Sequence, residues 1–324
     1  MDAIGIDLGY GVTKVSGMRG REAFTSAWAP HVAGAETWGI GTADRPLVVD
    51  GQAVLVGDRA ACRPGARRPF ADGRLADPEA LPILAQALWG AGVQGDVVLG
   101  SGTPLGMFAR EREAARRALE GRTLVLGDGT RTVTVRIARL VLRPQGVGAA
   151  LWLAAQGLLP DGPGYIVILD VGTRTTDVLT LEGADLSPVM ALCFSLEAGV
   201  STAAEALAAA AATDTGHLPP ADVAMAALRQ AVPWRGQLVG GPGARPYLDS
   251  LAATIRAETR RRFGGDAGRV AAVAVVGGGA VLLGERLAGV LPGDAVAVAA
   301  EGALFANSEG FRWAAERLAA RGVA

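Results

Sequence analysis

The sequence predicts a two-domain α/β protein. Three observations carry that prediction: a strand–turn–strand pattern near the start of the chain, the same pattern 163 residues later, and a buried strand that runs into three consecutive glycines. The later copy, Tyr165 to Leu181, reads YIVILDVGTRTTDVLTL. An apolar run enters Asp170, a turn with Gly172 and Thr173 follows, and a second apolar run leaves after Asp177. A plain two-residue hairpin would use Asn-Gly or Asp-Gly. This turn is longer, and its small hydroxylic residues and backbone N–H groups can fold around a phosphate. A carboxylate at the strand end, Asp170, can hold a divalent cation through water.

The earlier copy, Ile4 to Val15, reads IGIDLGYGVTKV. Asp7 aligns with Asp170, Gly9 with Gly172 and Thr13 with Thr176, since 170−7, 172−9 and 176−13 all equal 163. A tight turn with an Asp at the strand end would explain either copy alone. Two aligned copies suggest two related domains, each offering a phosphate-binding hairpin to one cleft. The third segment, Ala271 to Leu283, reads AAVAVVGGGAVLL. Gly277, Gly278 and Gly279 have no Cβ, so a flat group can approach their backbone closely.

The two loops followed by the glycine triplet resemble the nucleotide site of the actin, Hsp70 and sugar-kinase ATPase superfamily. The resemblance covers nearly the whole chain. It implies two RNase-H-like domains around a central nucleotide cleft: domain I over 1–148 plus 303–324, with a small lobe at about 20–80, and domain II over 149–302, with a small lobe at about 203–265. It also implies ATP or ADP with Mg²⁺. Asp7 and Asp170 would arrange the metal and its waters. Gly9, Tyr10, Gly11, Lys14, Gly172, Thr173, Arg174, Thr175 and Thr176 would hold phosphates, and Gly277, Gly278 and Gly279 the adenosine. The ammonium of Lys14 suits a ligand with several negative charges. Gln145, at the entry to the inter-domain helix, matches the residue that positions attacking water. A neutral amide is no strong base, but it can orient a water, and phosphoryl transfer depends mostly on positioning. The Gly199-Val200-Ser201-Thr202 turn and the Ala306-Asn307 … Gly310-Phe311 ending resemble ParM/StbA plasmid-segregation actins and archaeal actin-like proteins. On that likeness Glu205 is a candidate for a ribose hydroxyl, and a solvated helix Glu explains it equally well.

Composition fits this reading. Of 324 residues, 50% are hydrophobic, and 31 Lys and Arg balance 32 Asp and Glu. That near-neutrality argues against a chain that holds nucleic acid directly. The first strand starts almost at Met1, so no secretory leader is expected and a cytoplasmic location is. The most apolar region, 189–212, contains Glu197 and Glu205 and is Ala-rich, so no membrane span is expected. The two cysteines, Cys62 and Cys193, fit a reducing compartment as buried small hydrophobes.

Along the chain, 46–56 reads as a hairpin around Asp50-Gly51. Residues 81–90 read as a helix, 97–100 as a strand followed by a Gly-Ser-Gly-Thr-Pro loop, and 104–120 as a charged helix. Residues 123–126 and 132–138 read as paired strands, and 147–159 as an apolar helix. Residues 213–246 resist assignment. Residues 247–263 form an amphipathic helix, with Leu248, Leu251 and Ile255 on one face and Arg260, Arg261 and Arg262 at the negative pole. Residues 301–321 form a closing helix that packs on domain I, with Phe305, Phe311 and Trp313 in the core.

The resemblance implies an ATPase that polymerises with itself, its cargo attached through an adaptor protein, for plasmid or other segregation. A small-molecule kinase would need a substrate carboxylate as base and a longer second-substrate region. A chaperone-like factor would carry a client-binding domain. No obvious stretch suits either alternative, each a monomeric ATPase of the same superfamily, and the fold alone does not decide among the three.

Overall fold

The computed structural model describes residues 1–32, 45–69, 72–183 and 185–321. The chain divides into two compact units: Met1–Trp152 with Phe305–Ala324, and Leu153–Leu304.

The first unit is built on β1 (Asp2–Leu8), β2 (Val12–Gly17), β3 (Gly20–Thr25), β4 (Trp28–Pro30), β5 (Leu47–Val49) and β6 (Gln52–Val56). The one-turn α1 (Asp58–Ala61) and α2 (Leu81–Ala91) follow, then β7 (Gly95–Thr103), α3 (Phe108–Leu119), β8 (Thr123–Gly127) and β9 (Thr132–Pro144). These strands form one sheet in the order β3-β2-β1-β7-β9-β8-β5-β6-β4. β7 runs parallel to both β1 and β9. Strands β4 to β6, within the expected small lobe, therefore continue this sheet through the β5–β8 pairing. Residues 33–44 and 70–71 of that expected lobe fall outside the described residues.

Side chains alternate across a strand. Ile4 and Ile6 of β1 and Leu99 of β7 are fully buried with Ile83 and Leu88 of α2. Gly5, Gly100 and Gly102 occupy the alternate positions, where α9 (Ala300–Ala320) packs. A Cβ on Gly5 would lie 1.9 Å from Ser308 O, and one on Gly100 2.1 Å from Phe311 O. This explains a departure from the sequence reading. The expected loop Gly100-Ser101-Gly102-Thr103 is strand, because its glycines leave room for α9. Phe305 and Phe311 are core, as expected, whereas Trp313 is half-buried beneath the Arg317 guanidinium.

β9 extends past the expected residue 138 to Pro144, because β7 supplies parallel partners as far as Thr103. α4 (Val147–Ala155) stops short of residue 159, and Gly157, at φ +64°, follows it. The β5–β6 turn matches the Asp-Gly expectation, with φ +48° at Asp50 and +85° at Gly51.

In the second unit, β10 (Tyr165–Val171), β11 (Thr176–Glu182), β12 (Ser187–Pro188) and β13 (Phe194–Leu196) precede α5 (Val200–Thr215) and α6 (Ala221–Ala227). A hairpin, β14 (Ala231–Trp234) and β15 (Gln237–Gly240), leads to α7 (Arg245–Phe263), β16 (Val270–Val276), α8 (Ala280–Leu287) and β17 (Asp294–Ala295). The sheet order is β12-β11-β10-β16-β17, with β13 also on β11. Every residue of β10 is buried, as a central strand covered on both faces requires. The unassigned 213–246 contains α6 and the β14–β15 hairpin, whose turn has positive φ at Arg235 and Gly236. Arg-Gly hides this turn because propensity does not expect Arg there.

The cysteine expectation is corrected. Cys62 is exposed at the end of α1, and Cys193 is only half-buried against Thr180. The α7 arginines serve the fold: Arg260 donates to the Val290 and Gly289 carbonyls, and Arg261 and Arg262 pair with Glu258. Among the described residues, no helix is long and apolar enough to cross a membrane.

Candidate functional site

In the first unit, the antiparallel β1–β2 register sets Asp7 directly opposite Lys14. Lys14 Nζ lies 2.9 Å from Asp7 Oδ2, and Gln145 Nε2 donates to Asp7 Oδ1 at 2.9 Å. Asp7 and Lys14 are 4% and 7% exposed. Burial makes each charge depend on the other; removing one partner of such a pair costs roughly 3–5 kcal/mol. Lys14, expected on the phosphates, is thus engaged by Asp7. Gln145 N–H also donates to the Thr103 carbonyl at 2.8 Å, which docks the end of β9 on β7. A carboxylate can only accept, so the Gln145 amide must turn Nε2 toward Asp7 and present Oε1 elsewhere.

The turn between these strands is tied from behind. Ser26 Oγ donates to the Gly9 carbonyl at 2.6 Å, and Ser26 N–H to the Gly11 carbonyl at 3.0 Å. Thr13 Oγ1 bonds the same Ser26 hydroxyl. A trans peptide sends its N–H opposite its C=O, so the Tyr10 N–H is directed away from Ser26. Gly9 must be glycine, because a Cβ there would lie 2.4 Å from Val12 O. The Tyr10 ring is buried beneath Arg74.

The second unit repeats this construction with other partners. The carbonyls of Gly172 and Thr173 accept the N–H groups of Val200 and Ser201, at 3.1 and 2.8 Å. The next two amides, of Thr173 and Arg174, are therefore directed the other way. Successive N–H groups of this kind form an anion-binding concavity. Gly199 allows α5 to approach, since its Cβ would meet Thr173 O at 2.5 Å. Thr173, Arg174 and Thr175 are half-buried at the turn, and Arg174 pairs with Glu197 at 3.6 Å. Thr176 departs from the sequence expectation. Its hydroxyl is fully buried and donates to the Ala198 carbonyl at 2.6 Å, so it braces the turn from within.

Asp170 sits 7% exposed beside the glycine triplet. Gly277, at φ +88°, would place a Cβ 2.3 Å from Asp170 Oδ1. Gly279 donates to the Val171 carbonyl, and its Cβ would meet Val171 and Val200 side chains within 3 Å. Among the described residues, only Leu304 Cδ1, at 3.8 Å, comes near the Cβ position of Gly278. The first and third glycines therefore serve close packing, and Gly278 alone of the three keeps an open face. Glu205 is exposed on α5, on the face opposite buried Ala203, Ala204 and Leu207. The structure does not group it with the turn.

Three residues were given no role from the sequence. Asp177 is 2% exposed, stands opposite Asp170 across β10–β11, and accepts from Ser195 Oγ at 2.5 Å. The repeat itself could have found it: 177−14 is again 163, so Asp177 replaces Lys14 with the opposite charge. Asn307 caps α4 next to Gln145. Arg74 carries no local signal.

The repeat, the paired turns and the glycine triplet agree with comparisons to known proteins. Residues 5–148 match the family model of the actin-like protein N-terminal domain, and 168–289 that of the archaeal actin homologue MreB-like C-terminal domain. Archaeal actin homologs of Thermoplasma volcanium and Thermoplasma acidophilum are each 44% identical, over 98% of this chain and 99% of theirs. The chain belongs to the actin-like ATPase superfamily. Crystal structures of the archaeal actin homolog Ta0583 superpose on this actin-like chain with a TM-score of 0.89 at 44% identity. Its complex with ADP gives 0.86 at 42%; both matches cover 98% of this chain and all of that one. A 15-stranded ParM filament from Clostridium botulinum has a subunit that shares the fold, with a TM-score of 0.82 at 19% identity over 98% of this chain and all of that one.

Proposed function

We propose that this actin-like protein binds ATP and ADP with Mg²⁺, hydrolyses ATP, and couples hydrolysis to its own assembly into filaments. The observation that supports the reading most directly is the Gly172–Thr173 turn, whose carbonyls are held by α5 while its amides are directed away. A relative 42% identical over the full chain has been crystallised with ADP. In this reading Thr173, Arg174 and Thr175 hold phosphates with Gly172, and Gly9, Tyr10 and Gly11 of the first turn do likewise. Gly278 accepts the adenosine.

The residues fit a hard cation. Asp170 and Asp177 are cross-strand carboxylates, and the Asp7 charge is offset by Lys14. Asp170 would hold Mg²⁺ through water, with Asp7 orienting the water shell. When bound, the metal supplies charge stabilisation to the transferring phosphoryl group. Gln145 presents Oε1 to the attacking water while Nε2 stays on Asp7, so the water is aimed rather than deprotonated.

Filament assembly is supported by the family and by the ParM filament that shares the fold. With a net charge of −1, cargo such as plasmid DNA would attach through an adaptor, in the cytoplasm. The test is light scattering with ATP and Mg²⁺, with phosphate release followed in parallel. Scattering that requires nucleotide and a threshold protein concentration is expected. Steady phosphate release without scattering at any concentration would make the protein a monomeric ATPase, and no release at all would remove the enzyme reading.

A further inference from the structure

Arg74 lies in the first unit, far along the chain from the turn at Gly9 to Gly11. It is 6% exposed, and its guanidinium carbon stands 3.6 Å from the centre of the Tyr10 ring, which is also 6% exposed. A buried arginine keeps its charge, and its flat guanidinium stacks on an aromatic face where lysine cannot. The segment carrying it is anchored: Gly73, at φ +77°, donates its N–H to Glu111 Oε1 at 2.8 Å, and Glu111 on α3 is itself buried. A small cavity beside the stack is lined by Tyr10, Arg74, Thr103 and Glu111. Thr103 is the residue whose carbonyl receives the Gln145 N–H.

We propose that Arg74 is a positioning residue for the first turn: its stack on Tyr10 pins the tip of that turn and sets a permanent positive charge behind it. Tyr10 stands between two glycines, so without an anchor its backbone would sample many conformations. Ser26 restrains the turn through its carbonyls, and Arg74 restrains it through its one large side chain. Lys14 is paired with Asp7, and Arg74 adds a positive charge that the repeat motif does not contain, with the buried Glu111 carboxylate lining the same cavity. The chemistry suits a phosphate-bearing ligand, which rests on the nucleotide reading above; the pinning of the turn does not.

The experiment combines amide hydrogen exchange of the full chain without nucleotide with equilibrium binding of ATP and ADP. Arg74→Met is expected to speed exchange at residues 9–11 selectively. It should weaken ATP binding on the order of tenfold, the scale of a desolvated cation–π contact. Tyr10→Leu should do the same, and the double variant should be no worse than the worse single one. Arg74→Lys, which keeps charge and bulk, should fold and give an intermediate loss if Arg74→Met does not fold. Unchanged exchange at 9–11 in the Arg74 variants, or fully additive effects of Arg74 and Tyr10 changes, would overturn the pin. Wild-type protein that binds no nucleotide would overturn the phosphate role, and the exchange data would still decide the pin.

Discussion

Asn307 Oδ1 accepts the backbone N–H of Gly146 at 3.0 Å, and the same oxygen takes the N–H of Ala149 at 3.1 Å. A helix start leaves N–H groups without intrahelical partners. The sequence before α4, Arg143-Pro144-Gln145-Gly146, has no Ser, Thr, Asp or Asn to cap it. The cap comes instead from α9, and it fixes the backbone immediately after Gln145. Asn307→Leu is therefore expected to cost about 1–3 kcal/mol of stability, the penalty of unsatisfied buried donors. It should also lower ATP turnover more than ATP affinity. Asn307→Asp, which keeps an acceptor at the helix N-terminus, should recover most of both. Chemical denaturation and single-turnover assays check this.

The glycine triplet predicts three different phenotypes from one type of change. Gly277→Ala meets Asp170 at a left-handed backbone and should destabilise or unfold the second unit. Gly279→Ala meets Val171 and Val200 and should be nearly as damaging. Gly278→Ala has room and should melt within a few degrees of wild type, yet lose nucleotide affinity because the added methyl fills the open face. Thermal melts with and without ADP distinguish these outcomes.

Gln145→Glu should slow ATP hydrolysis. Its half-buried carboxylate would face the buried Asp7 Oδ1 where an amide N–H now donates at 2.9 Å, so the like charges would repel and the side chain would swing away. Gln145→Leu should retain nucleotide binding and lose turnover. A Gln145→Glu enzyme faster than wild type would contradict the water-positioning role.

Acid stability should depend on two surface carboxylates. The Thr130 hydroxyl and the Thr130 and Arg131 N–H groups hold the Asp128 carboxyl down at about 2, below its usual 3.8. Arg261 and Arg262 hold Glu258 at about 2, below its usual 4.5. A carboxyl depressed in the folded state stabilises the protein above its unfolded pKa, and that stability is lost as pH falls through the folded value. Asp128→Asn and Glu258→Gln should therefore melt below wild type at pH 6, and the difference should close by about pH 2.

The two repeated turns are legible along the chain. Asp7 and Asp170 stand near the ends of short apolar strands and Gly9 and Gly172 in the turns that follow, with a spacing visible along the chain, and local sterics make such glycines hard to replace. Helices α2, α7 and α9 are legible as well, because their apolar spacing is local. Which way each group faces depends on the packing of the folded chain. Thr176 and Thr173 look alike in sequence, yet one hydroxyl is buried on Ala198 and the other side chain lies at the turn, because Thr176 is held in the β10–β11 pairing and Thr173 lies between the two strands. Gly100 to Thr103 reads as a loop until α9 arrives to occupy its glycines. Arg74 on Tyr10 and Asn307 on Gly146 join residues far apart in the chain. Such contacts leave no periodicity, since a hydrogen bond or a ring stack depends on distance in space and not on separation in sequence.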